Sequence, residues 1–136
     1  MPIKTTRDRS NELTEHVVSG LIIDDEMFAC QKEFYEGGPT RLQLWDMTAA
    51  DLAKITTDGL RRFVGRAAML GEVRRGGRTA VIVRSGEQYG LARMAEVFGE
   101  FESLPFAYAV FRSRDEALAW LLAESKSQPA GAKDGA

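Results

Sequence analysis

The chain is expected to adopt an α/β fold: a mainly parallel sheet of about five strands with an antiparallel N-terminal hairpin strand, and four helices packed against it. Three observations predict it. Short β-branched or apolar runs alternate with segments whose apolar residues recur at helical spacing. The run Thr79 to Val83 is continuously apolar or β-branched, as in a central strand covered on both faces. The chain opens with two extended segments joined by a polar turn, a hairpin that supplies the antiparallel edge.

Each element has a local cause. Ile3 to Arg7 predicts a first strand, and Asp8-Arg9-Ser10-Asn11 has turn chemistry, because Asp, Ser and Asn side chains bond nearby backbone amides. Leu13 to Gly20 is the second strand. Asp24-Asp25-Glu26 suits the positive end of a helix dipole, and Ile23, Met27, Cys30 and Phe34 share one helical face. Gly37-Gly38-Pro39 stops that helix, and Arg41 to Asp46 forms a third strand. Thr56 or Thr57 caps the next helix, whose buried stripe is Leu60, Phe63, Val64, Ala67, Leu70 and Val73. Gly76-Gly77 ends it before the Thr79–Val83 strand. Ser85 to Gln88 has the form of a capping box ahead of Leu91, Met94, Ala95 and Phe98. A last strand, Phe106 to Phe111, leads into a second capping box, Ser113 to Glu116, and a helix containing Ala117, Leu118, Leu121 and Leu122. Residues 1–124 fit one domain, and 125–136, rich in Ser, Gly, Ala and Lys, are too poor in apolar residues to offset chain entropy and are expected to form a disordered tail.

Composition narrows the function. A net charge of −2 over 136 residues excludes a chain that binds nucleic acid by bulk electrostatics. Cys30 is the only cysteine, so no disulfide forms within the chain. The N-terminus lacks a signal peptide's apolar stretch, and no apolar run approaches the roughly 20 residues of a membrane span. A cytoplasmic protein is expected.

A resemblance then enters through Glu33 to Thr40 leading into Leu44-Trp45-Asp46, through Gly76 to Ala80, Tyr89 to Met94 and Leu104-Pro105-Phe106, and through the ending around Phe111 to Leu121. From about Leu13 to Leu122 the chain resembles small bacterial proteins with a STAS-like fold, the fold of anti-sigma factor antagonists. The wider superfamily is also similar to lipid-carrier domains. In anti-sigma antagonists a serine at the start of the second main helix is phosphorylated by a partner kinase. The resemblance puts Thr57 at that position, with Thr56 and Asp58 beside it and Gly59-Leu60 matching the motif. Threonine replaces serine here, and Asp58 adds a fixed negative charge next to the acceptor. A helix N-terminus favours a phosphate through its free amides, but it favours a capping hydroxyl equally.

The search for reactive groups returns little. His16 is the only histidine and Cys30 the only thiol, both in packing positions, and nothing in their spacing joins them as a dyad. No catalytic residue, metal site or cofactor is implied, and no glycine loop has a phosphate-binding pattern. Arg61, Arg62, Arg66, Arg74, Arg75, Arg78 and Arg84 form a basic band, expected as a solvated surface. In open parallel sheets ligands sit beyond the carboxyl ends of the strands, which here carry Asp46, Arg84, Ser85, Arg112 and Ser113, with Tyr89 nearby; this is the candidate ligand crevice. Trp45, Trp120 and the phenylalanines are expected in the core.

These readings converge on a non-enzymatic regulatory or interaction module. Its partner would be another protein, such as a kinase or an anti-sigma-like protein, contacted near the start of the second main helix, and homodimerisation suits so small a domain. The alternative is a carrier of a small apolar or lipid ligand, which calls for a cavity above roughly 300 Å³.

Overall fold

The sheet is built from five strands in the order β1-β2-β3-β4-β5, in a computed structural model that describes residues 2–123. The tail expected over 125–136 lies outside the described residues. β1 (Ile3–Asp8) pairs antiparallel with β2 (Leu13–Leu21), and β3 (Leu42–Asp51), β4 (Arg78–Ile82) and β5 (Ala107–Phe111) follow in parallel. The helices are α1 (Asp24–Glu36), α2 (Thr57–Leu70), α3 (Gly86–Glu102) and α4 (Arg114–Leu121). The hairpin turns through a short 3-10 segment, Arg9–Asn11, held by Asp8 accepting from the backbone of Asn11.

Side-chain alternation divides the core into two layers. Val18, Trp45, Met47, Val81 and Val83 face α1, α2 and α3, and Leu42, Leu44, Ala80 and Ile82 face α4 through Ala117 and Leu121. β4 is buried along its whole length, as its composition predicts. Gly38 takes the left-handed conformation (φ +94°) just after α1, where a side chain would be strained.

Three expectations are corrected. β3 does not stop at Asp46 but runs to Asp51, because Ser19–Leu21 of β2 pairs with Ala49–Asp51 past the end of β4. The α2 stripe does not extend to Val73, which is 74 % exposed. At Gly71 the chain tightens to a 3-10 turn and the phase slips, so Arg74 points inward instead. Gly71 itself lies against Phe106, which a Cβ there would meet at 2.7 Å. Nor are all the phenylalanines core residues: Phe101 is exposed on α3.

Candidate functional site

Folding withdraws two arginines, Arg74 and Arg78, from the expected basic surface, while Arg61, Arg62, Arg75 and Arg84 stay exposed. Arg74, only 2 % exposed, donates through Nε to the carbonyl of Thr40 (2.9 Å) and through Nη2 to those of Arg41 (3.1 Å) and Arg78 (3.0 Å). Its Nη1 reaches Gln43 Oε1 at 3.3 Å, and its guanidinium lies over the rings of Phe106 (4.3 Å) and Phe34 (5.4 Å). Burial lowers its pKa, yet carbonyl dipoles and ring faces meet the cation where no carboxylate among the described residues bonds it. Arg78 is also buried and donates to carbonyls at the end of α4. Arg61 and Arg62 pair with Asp58, and Arg75 pairs with Glu72.

The same network joins the two reactive side chains that the sequence leaves unconnected. Gln43 Oε1 accepts from Arg74 and from the Thr79 hydroxyl (3.2 Å), so its amide nitrogen donates to His16 Nε2 at 3.0 Å. His16 Nε2 is therefore the acceptor, and the ring proton sits on Nδ1, 2.9 Å from Thr5 Oγ1 and 3.4 Å from Cys30 Sγ. Both residues are buried, with the imidazole stacked near Trp45 at 4.2 Å between ring centroids. Burial, assisted by the charges of Arg7 and Arg74, lowers the His16 pKa to about 3. Burial also pushes the Cys30 thiol up to about 11. A nucleophile–base pair needs the opposite: a free imidazole nitrogen facing the thiol, and a thiolate within reach of neutral pH. Cys30 and His16 touch, but the nitrogen facing the sulfur already carries a proton.

At the start of α2 the two threonines divide the roles. Thr56 is the cap, its hydroxyl accepting from the Gly59 amide at 2.8 Å. That hydroxyl donates to Asp24 Oδ2 (2.6 Å), and the Thr56 amide donates to Asp24 Oδ1 (3.1 Å). A carboxylate from the first turn of α1 thus occupies the amide-rich end of α2. Gly59 makes room for it, since a Cβ at 59 would lie 2.3 Å from the carboxylate. Thr57 is exposed, and its hydroxyl bonds nothing among the described residues. Asp58 is held by Arg61 and Arg62. Sequence reasoning missed Asp24 as part of this cluster, because the only local signal was an acidic helix start 32 residues away.

The candidate crevice is brought together only in part. Arg112 donates to the Arg84 carbonyl (3.3 Å) and stacks over Tyr89 at 4.8 Å, with Arg93 donating to the Tyr89 hydroxyl. Ser85 and Ser113 cap α3 and α4. Asp46, on the α4 side of the sheet with Leu42 and Leu44, accepts from the amide and hydroxyl of Thr48. None of the six lines the cavity that lies between the sheet and α1–α3. Its volume is about 110 Å³, short of the roughly 300 Å³ that a carrier of a small apolar or lipid ligand calls for, and its walls include Trp45, Met47, Phe63, Val81 and Leu91. Among the described residues no three His, Cys, Asp or Glu side chains gather to hold a metal, and no helix is long and apolar enough to cross a membrane.

Comparison with known proteins bears on the fold. No family model matches the chain, and no curated protein matches it. Among solved structures it is similar to an uncharacterized DUF3478-family protein with a SpoIIAA-like fold from Shewanella loihica PV-4, with a TM-score of 0.55 and 18 % identity, covering 88 % of this chain and 91 % of that one. It also matches an anti-sigma factor antagonist from Mycobacterium paratuberculosis, with a TM-score of 0.49 and 17 % identity, covering 88 % of this chain and 93 % of that one. The five-stranded mixed sheet with four helices is a SpoIIAA-like, STAS-like α/β fold, as the sequence resemblance implies.

Proposed function

We propose that this SpoIIAA-like fold serves as a non-enzymatic, cytoplasmic regulatory module that binds another protein at the surface around the start of α2. One observation carries the reading. Leu21 and Ile23, 52 % and 43 % exposed, stand at the end of β2 beside the α2 N-terminus. Pairing of Leu21 with Asp51 and the bonds from Thr56 to Asp24 bring the two segments together. Apolar side chains so placed favour association when a partner covers them. Asp25, Glu26 and Asp51 in the same segments outweigh Lys54, so the partner that fits presents apolar residues flanked by Lys or Arg.

Within this reading Thr57 is the regulatory position. Exposure of its unbonded hydroxyl supports that role, and a phosphate there would add about −1.5 to −2 charge beside Asp24 and Asp58. The repulsion would act on the Asp24–Thr56 bonds that join α1 to α2, and so on the docking surface.

A photo-crosslinking residue placed at Leu21, and as a control at the exposed Lys32, tests the reading in the native host. A discrete adduct with a chain rich in basic residues, formed from position 21 and weakened by phosphomimetic Thr57→Glu, is expected. No adduct, or the same adducts from both positions, overturns it.

A further inference from the structure

One face of α3 points to solvent and yet is built like a contact. Gly90, Met94, Val97 and Phe101 recur at spacings of four, three and four, which sets them in a single stripe opposite the buried Gln88, Ala92 and Gly99. Phe101 is 83 % exposed, Val97 48 % and Met94 36 %, and an open groove runs beside Val97, Glu100 and Phe101. A Cβ placed on Gly90 would meet nothing within 4 Å, so the stripe is bare at one end and carries a projecting ring at the other. An apolar row of this kind, on a helix of 17 residues or about 25 Å, is the sort of surface that association covers. Its edge carries both signs of charge. Arg93 bonds Glu96 through Nε and the Tyr89 hydroxyl through Nη1, which leaves its Nη2 without a bond among the described residues. The Glu100 carboxylate, exposed one turn before the end of α3, bonds nothing among them either.

We propose that this stripe is the interface of a homodimer, in which α3 packs antiparallel against α3 of a second copy about a twofold axis between Met94 and Val97. The stripe is complementary to itself in that arrangement. Phe101 covers the partner's Gly90, where no side chain stands in its way, and Met94 lies against the partner's Val97. Arg93 then faces the partner's Glu100, and Glu100 faces the partner's Arg93, so each unfilled group gains an opposite charge. A parallel arrangement would set Arg93 against Arg93 and Glu100 against Glu100, so charge selects the direction. The same charges disfavour an anionic membrane as the occupant, because Glu87 and Glu100 outnumber Arg93 among the exposed charges from Gly86 to Glu100. The interface uses a different element from the docking surface at Leu21 and Ile23, so either proposal stands if the other fails.

One helix from each protomer makes a small interface, so the expected dimer is reversible, with a Kd on the order of 10 µM. Sedimentation velocity on the full chain, from about 1 to 500 µM, brackets that value and is the readout. Phe101→Asp changes an exposed position, so it should keep the thermal transition and weaken association about tenfold or more. Arg93→Glu and Glu100→Arg should each weaken it about threefold or more, because each sets like charges across the twofold. Mixing these two single variants in equal amounts should restore the dimer, since both cross pairs are then unlike. Misfolding of either variant cannot produce that rescue. A chain that stays monomeric over the whole range overturns the proposal and leaves the stripe to a different protein. So does a dimer that a folded Phe101→Asp chain still forms unchanged, or a pair of charge variants that neither weaken association nor rescue each other.

Discussion

Arg74 carries a charge into the interior, and its value lies in what it holds together. Three backbone carbonyls and Gln43 Oε1 converge on one guanidinium, so removing it orphans several buried acceptors at once. Arg74→Met is expected to lower stability by about 3–5 kcal/mol, read by urea denaturation, and Arg74→Lys should recover little, because one ammonium cannot reproduce the planar fork. His16 gives a pH signature through the same network. Folded His16 stays neutral down to about pH 3, while in the unfolded chain it titrates near 6.5. Between those values the unfolded state holds more protons, so stability falls as pH drops through this window. At about 1.4 kcal/mol per unit the loss is on the order of 4 kcal/mol at its acid end. His16→Gln is expected to flatten the fall between pH 6.5 and 4, measured by urea midpoints; an unchanged slope would show that His16 is not its source.

Among the elements, α1 and α2 are joined end to end by Asp24, whose carboxylate accepts both hydrogen bonds from Thr56. The arrangement satisfies amides that a helix start leaves open and places negative charge at the positive end of the dipole. Gly59→Ala is expected to expel that carboxylate and destabilise the chain by about 1–3 kcal/mol, with faster amide exchange at Thr56 and in the first turn of α2. Asp24→Asn should cost less, since an amide oxygen still accepts one of the bonds. The caps of α3 and α4 were legible in sequence because capping joins residues three apart, but only α3 closes the full box, with Gln88 accepting from the Ser85 amide, whereas Ser113 caps α4 without a bond back from Glu116. The full length of β3 was not, because Met47–Asp51 is extended only by virtue of its pairing with β2.

Across the whole molecule, Leu21 and Ile23 are exposed and lie outside the wall of the cavity, which does include Asp24 and Gly59 at the start of α2. Leu21→Asp with Ile23→Asp should leave thermal stability nearly unchanged, within about 0.5 kcal/mol, because both side chains are exposed. The same double change should abolish the adduct formed by a crosslinker on neighbouring α2. A marked loss of stability would mean that these side chains pack in the fold rather than await a partner.

Element order, the buried central strand, the helix caps and the antiparallel opening could be read from the amino-acid order, since all depend on residues near one another along the chain. Even the choice between Thr56 and Thr57 was left open until geometry assigned the cap to Thr56. Tertiary packing was needed to show that Arg74 and Arg78 are interior, that Cys30 meets His16 with a protonated nitrogen between them, and that Asp24 reaches α2. These contacts join side chains far apart in sequence, and a charged residue's environment is set by whatever the fold packs around it, which no local pattern records.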